Sequence, residues 1–189
     1  MSSVAVLMGG TSAEREVSLR SGAAVSHALR ELGHDVLDID VGPDVISQLA
    51  ELEVQADIAF IVLHGRMGED GTVQGLLELL GIPYTGSGVM SSAMVINKYM
   101  SKQIFRANAI PVAEDVVVGT SEVRERGASK VAEGVSLDLG FPCIVKPNCE
   151  GSTVGARRAL NREELEEAIE EALEYDDLLV IERYIEGRE

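Results

Sequence analysis

The sequence predicts an α/β protein that opens with an open parallel sheet and continues into a second unit of mixed strands and helices. Two continuous apolar runs, Val4 to Met8 and Ile58 to Leu63, have the character of parallel strands covered on both faces. Segments of helical period follow such runs, each stopped by a glycine. The resulting β-α-β-α-β order calls for an open sheet joined by right-handed crossovers.

Gly9-Gly10-Thr11-Ser12 breaks the first strand, and a helix follows with Val17, Ser21, Ala24, Val25, Ala28, Leu29 and Leu32 on one face and Gly33 as its stop. Asp35 to Asp40 alternates polar and apolar residues, as a second strand does. After Ile58 to Leu63, Thr72 to Leu80 is helical, Gly81 ends it, and Pro83-Tyr84-Thr85 forms a short strand. Gly86-Ser87-Gly88 marks the expected domain boundary, giving domains 1–86 and 87–189. Beyond it a helical stretch near Ser91 to Ala107 precedes a strand at Val116-Val117-Val118. Residues 120–140 read as one or two helices with a break at Gly134. Cys143 to Lys146 is a strand ended by Pro147, and a turn-rich loop runs from Asn148 to Gly155. Asn161 is placed as an N-cap with Glu164 as its capping-box partner. Leu165, Ala168, Ile169, Ala172 and Leu173 make the apolar stripe of that helix, and Leu178 to Ile181 is the last strand.

The 189 residues are 46% hydrophobic and 25% charged, enough for a substantial core and unlike a disordered or collagenous chain. No apolar run approaches the roughly 20 residues needed to span a bilayer, and no basic stretch precedes an apolar core at the N-terminus. Cys143 and Cys149 are too few and too close for a disulfide framework, so a reduced, cytoplasmic protein is expected, with no membrane partner. A formal net charge of -16 argues against tracking along nucleic acid. Residues 161–189 hold 12 acidic and 3 basic side chains, mostly as the solvated face of one helix. Anion binding then depends on backbone N–H groups and a few placed cations.

Three loops fall at the carboxyl ends of expected strands, where open α/β sheets hold their ligands. In the first, Gly9 to Glu16, two glycines let the backbone approach a ligand and the helix N-terminus favours an anion. Glu14 there either holds an ammonium group or complements the helix dipole. The second, His64 to Gly71, is a tight turn in which His64 is either a structural donor or a substrate contact. His27 and His34 are the only other histidines, and their spacing does not suit zinc. In the third, Lys146 closes an apolar strand and leaves an ammonium at the sheet edge, costly unless it meets an anion. The glycine- and hydroxyl-rich loop after it can fold over phosphates through its N–H groups, or be a plain turn beside a surface lysine. Neither a dinucleotide G-x-G-x-x-G nor a Walker G-x-x-x-x-G-K-[ST] occurs, which excludes a nicotinamide oxidoreductase. Cys149 sits in the third loop with nothing in the sequence to lower its thiol pKa.

Together these segments resemble the D-alanine–D-alanine ligases of the ATP-grasp superfamily. The resemblance is carried by Gly9–Leu19 (GGTSAEREVSL), His64–Gly71 (HGRMGEDG), Pro83–Gly88 (PYTGSG), Asn97-Lys98 with Lys102 after it, Cys143–Gly155 (CIVKPNCEGSTVG) and Glu182–Ile185 (ERYI). It implies a Rossmann-like N-terminal domain followed by the first subdomain of an ATP-grasp fold, the C-terminal half of that fold being absent. It implies ATP-driven joining of two D-alanines for peptidoglycan, through an acyl phosphate. Glu14 then matches the glutamate that holds the first D-alanine's ammonium, and His64 a histidine of the same pocket. Ser152 matches the serine of the phosphate-covering loop that orients that glutamate, with Glu150 and Gly151 beside it. Lys98 and Lys146 match lysines that contact nucleotide phosphates. Glu182, Arg183, Tyr184 and Ile185 match the adenine pocket, and Glu189 the carboxylate that takes the ribose hydroxyls. Magnesium or manganese is implied as cofactor with ATP, its ligands expected in the missing C-terminal part, and a homodimer fits the family.

Asn148-Cys149, Thr153 and Arg183-Tyr184 depart from the family's commoner choices, and arginine is not equivalent to lysine beside a purine. The chain is expected to fold at least in its N-terminal sheet and, read as an incomplete fragment, to make no dipeptide alone. Two other readings stand beside this one: an ATP-grasp enzyme ligating a different carboxylate and amine, and a non-catalytic nucleotide-binding module.

Overall fold

The computed structural model describes residues 1–187, apart from the side chains of Glu53 and Val54. The chain divides into two compact units, Met1–Val95 and Ile96–Glu189, so the division falls after the Gly86–Gly88 break by most of one helix.

In the first unit, β1 (Ser3–Gly9) is the middle strand of a parallel sheet of order β2-β1-β3, with β2 (Asp35–Val41) and β3 (Ile58–Ile61) beside it. Its run is apolar throughout because both faces are covered. Ala5 and Leu7 join Leu49, Leu77 and Ile82 on one side, while Val4, Val6 and Met8 meet Leu19, Val25 and Leu29 on the other. The expected strand at Pro83–Thr85 shortens to one parallel bridge, Ala59 to Tyr84, held by two backbone hydrogen bonds of 2.8 and 3.0 Å. Helix α1 (Arg15–Glu31) follows β1, and α2 (Val45–Ala50) with a 3-10 turn (Glu51–Val54) links β2 to β3. That link has too few residues for a clear helical period, yet Leu49 and Leu52 are fully buried in it. Helices α3 (Thr72–Leu79) and α4 (Val89–Ile96) complete the unit.

Helix α1 turns inward only part of the face its apolar residues suggest: Val25 and Leu29 pack against the β1 side chains, and the most buried stripe is shifted to smaller residues. Ser18, Gly22 and Ser26 are buried, whereas Val17, Ala24, Ala28 and Leu32 are exposed. Small residues win because the helix lies close on β1. Ser18 Oγ accepts from the Gly9 N–H (2.9 Å) and donates to the Val62 carbonyl (2.7 Å), and a Cβ on Gly22 would lie 2.5 Å from Met8 Cβ. Gly22→Ala is therefore expected to cost about 1–3 kcal/mol by forcing helix and strand apart. Denaturant unfolding checks this, and an unchanged midpoint would show that the helix can shift freely.

The second unit is an antiparallel sheet of order β4-β7-β5-β6, formed by β4 (Asp115–Gly119), β5 (Cys143–Pro147), β6 (Arg157–Ala159) and β7 (Leu178–Arg183). The three-residue β6 is too short to be read from its sequence. The helix expected near Ser91 to Ala107 is two, because Asn97 is extended and caps α5 (Lys98–Ala107) by accepting from the Met100 N–H at 2.9 Å. The break within 120–140 falls at Gly127, whose φ is +82°, between α6 (Thr120–Arg126) and α7 (Ala128–Leu139); Gly134 stays inside α7. Helices α7 and α8 (Arg162–Ala172) cover one sheet face, where Val135, Leu165 and Ile169 pack on Cys143, Val145, Leu179 and Ile181. Asn161 caps α8 as expected: its Oδ1 accepts from the Glu164 N–H, and Glu164 accepts in return from Asn161 Nδ2 and the Leu160 N–H. Both cysteines are free, and no helix among the described residues is long and apolar enough to cross a membrane.

Candidate functional site

In the first unit the two expected ligand loops come together. Gly9 and Gly10 both have positive φ, which swings the chain off β1 so that Glu14 occupies the N-cap position of α1 with its side chain making no cap bond. The backbone of the second loop lies against that carboxylate: a Cβ on Gly65 would sit 3.3 Å from Glu14 Oε2 and 3.3 Å from Ser12 Cβ. Thr11 Oγ1 reaches Met67 Sδ at 3.5 Å. Glu14 is half-buried and faces no cation among the contacts described, so its charge is available to an ammonium ligand.

The second loop is fastened internally. Glu69 accepts from the Gly65 N–H (2.9 Å) and lies 3.6 Å from His64 Nδ1. Asp70 accepts from the N–H groups of Met67 and Thr72, both at 2.9 Å. Burial alone raises the Asp70 carboxyl, but these bonds outweigh it and hold the group below its ordinary range. Gln74 donates to the Gly68 carbonyl at 2.7 Å from beneath. Arg15, passed over in the sequence, fixes the first loop by donating to Asp40 (2.7 Å) and to the Gly10 carbonyl (3.1 Å).

In the second unit Lys98, Lys146, Glu150 and Glu182 come together, and the surroundings of the lysines differ from the expectation. β5 lies inside the sheet, so Lys146 stands on the sheet face and not at its edge. The anion it meets is a protein carboxylate, Glu182 Oε2 at 2.6 Å. Lys98 straps the third loop, donating to the carbonyls of Asn148 (3.4 Å) and Glu150. Burial pushes the Lys98 ammonium below its ordinary pKa, and neighbouring Lys146 pushes the same way. Such a group gains from an added anion. Within the loop, Ser152 and Thr153 are exposed and both have positive φ, at +44° and +62°. Two successive left-handed non-glycine residues are strained, a state found at ligand clamps. Gly155 permits the loop's return, since a Cβ there would meet the Tyr175 ring at 2.7 Å and Pro147 Cγ at 2.9 Å. Burial, followed by the nearby Asp176, raises the Cys149 thiol above its ordinary range.

Of the expected adenine segment, Glu182 is largely buried, Arg183 pairs with Glu114 at 2.7 Å, and the Tyr184 ring lies 4.2 Å beneath the Arg158 guanidinium. Ile185 is 69% exposed, and Glu189 lies outside the described residues. Lys102 and Asp115 are buried beside Glu182 in a group the sequence does not reveal: Lys102 Nζ is 2.7 Å from Glu182 Oε1 and 3.1 Å from Asp115 Oδ1, and the more exposed Arg106 pairs with Asp115. Asp115 and Glu182 lie directly opposite one another where β4 pairs with β7, a placement of like charges that is destabilising without a cation nearby and that only the strand pairing reveals. Among the described residues no three His, Cys, Asp or Glu side chains come together as a metal set.

Comparison with known proteins matches both units. Residues 41–87 match the family described as D-ala D-ala ligase N-terminus, and residues 104–189 match D-ala D-ala ligase C-terminus. The chain belongs to the D-alanine–D-alanine ligase family. Within it, the D-alanine–D-alanine ligase of Geobacter sulfurreducens is 51% identical over 186 residues, covering 98% of this chain and 56% of the relative. The ligase of Desulforamulus reducens is 48% identical over 187 residues, covering 98% and 59%. The chain thus spans somewhat more than half the length of these family members. A crystal structure of the Bacillus anthracis D-alanine–D-alanine ligase complexed with ATP superposes with a TM-score of 0.81 at 34% identity, over 99% of this chain and 61% of that one. The expected fold class, a parallel α/β sheet followed by part of an ATP-grasp fold, agrees with these neighbours.

Proposed function

We propose that the protein to which this chain belongs joins two D-alanines to D-alanyl-D-alanine at the expense of ATP, in the cytoplasm, for peptidoglycan synthesis. The observation that carries this reading is the Glu14 carboxylate, unpaired among the described contacts and pressed against the 64–71 loop, in a chain of this family. Glu14 takes the ammonium of the first D-alanine, and His64, tethered by Glu69, borders the same pocket. The carboxylate oxygen of that D-alanine attacks the γ-phosphorus, the bond from the γ-phosphorus to the β,γ-bridging oxygen breaks, and ADP leaves. The free amine of the second D-alanine then attacks the acyl carbon, the carbon–oxygen bond to phosphate breaks, and inorganic phosphate leaves as the amine sheds its proton.

For the nucleotide, Lys146 and Lys98 meet phosphate oxygens, while Glu150, Gly151 and Ser152 provide the covering loop, with backbone N–H groups as donors. Glu182 to Ile185 border the adenine, and Glu189 takes the ribose hydroxyls. Magnesium or manganese would neutralise further phosphate charge; the described residues supply no ligand set for it. The solved ligase complexed with ATP supports the nucleotide assignment.

The test supplies the full-length protein with ATP, magnesium and D-alanine and measures phosphate together with dipeptide. The expected result is one phosphate released per D-alanyl-D-alanine formed. Phosphate release that requires a different carboxylate–amine pair points to another ligase, and ATP binding without turnover points to a binding module.

A further inference from the structure

Glu182 is shared between two lysines that differ in exposure and in their other partners. Lys146 approaches Oε2 from β5 at 2.6 Å and is 30% exposed at its side chain. Lys102 approaches Oε1 from α5 at 2.7 Å, is 8% exposed, and is also 3.1 Å from Asp115, which is itself paired with Arg106. On β6, Arg158 shares the sheet face but is engaged with the Tyr184 ring. A buried carboxylate left without a cation is strongly unfavourable. With Lys146 as its only partner, Glu182 would oppose any ligand that draws Lys146 away.

We propose that Lys102 is a positioning residue: it is the standing counter-cation of Glu182, and so it frees Lys146 to leave Glu182 for a phosphate oxygen. The inference rests on the reading of Lys146 as a phosphate ligand. Lys102 touches no phosphate in this scheme. Asp115 and Arg106 hold it in place, so the pair Lys102–Glu182 stays neutral before and after the exchange. The Glu182 carboxyl, raised by burial but lowered further by hydrogen bonds from Lys102 and Lys146, lies below its ordinary range, in keeping with this double partnership.

The experiment compares ATP with adenosine by calorimetry in the full-length protein, for wild type, Lys102→Gln, Lys102→Arg and Lys146→Ala. Glutamine keeps donors near both carboxylates and removes the charge; arginine keeps the charge. Lys102→Gln is expected to weaken ATP about tenfold while adenosine changes less than about twofold, and Lys102→Arg to restore most of the loss. In the nucleotide-free protein, carbon-13 NMR should show Glu182 titrating at higher pH in Lys102→Gln than in wild type. Equal losses for ATP and adenosine, or no loss while Lys146→Ala remains selective for ATP, overturn the inference and leave the phosphate reading intact. A Lys146→Ala variant without ATP selectivity overturns the phosphate reading, and the inference with it. An unshifted Glu182 titration refutes the counter-cation role whichever way the nucleotides behave.

Discussion

Glu14→Gln in the full-length protein is expected to reduce D-alanyl-D-alanine formation by at least about a hundredfold. The carboxylate stands at the start of α1 with the Gly65 backbone against it, so a bound ammonium meets a full negative charge in a half-enclosed position. An amide offers only a neutral acceptor and adds an N–H2 group that points donors at a cation. Charge-assisted hydrogen bonds are worth about 1.5–3 kcal/mol, and misplacing the reacting carboxylate adds to that loss. The substitution is isosteric, and Glu14 makes no cap bond whose loss would unfold the helix. Thermal unfolding should therefore match wild type while kcat/KM for D-alanine collapses. Unchanged turnover at saturating ATP would remove Glu14 from the amino-acid pocket.

What the sequence made legible follows from where physics acts locally. Val4 to Met8 is apolar throughout because β1 is covered on both faces, and Asn161 with Glu164 cap α8 through bonds spanning only a few residues. Helix α1 is legible in the sequence at Val25 and Leu29 but not along its most buried stripe, which rests on small side chains. Ser18, Gly22 and Ser26 carry little hydrophobicity, yet only small residues let the helix settle on Met8 and Val62. Asn97 reads as the interior of one long helix since its neighbours are helix-compatible; the side-chain acceptor that starts α5 is a single bond. The candidate site divides in the same way. Glu14 and His64 lie in loops whose glycines mark them, whereas the Lys102–Asp115–Arg106 group depends on β4 pairing with β7, a contact between residues far apart in sequence. Lys146 reads in the sequence as a cation in need of an anion, and the carboxylate it meets comes from β7, 36 residues away.

Lys146→Ala carries the second large effect expected here: ATP affinity falling about 10–100-fold with adenosine almost unchanged. Lysine to alanine removes one charge-assisted contact to a phosphate, worth about 1.5–3 kcal/mol, and leaves contacts to the base and ribose in place. Loss of the ammonium does not strand Glu182, because Lys102 remains at 2.7 Å. A second readout separates this from general damage to the fold. Glu182 is held below its ordinary pKa, so its ionisation contributes stability that is present above the unfolded carboxylate pKa and is lost as pH falls through the folded value. Lys146 supplies part of that lowering. The melting temperature of Lys146→Ala should accordingly lie below wild type at neutral pH, and the gap should narrow as the pH falls below the carboxylate range. A gap of constant size across that range would assign the loss to packing of the lysine stem, and equal weakening of ATP and adenosine would deny Lys146 its phosphate.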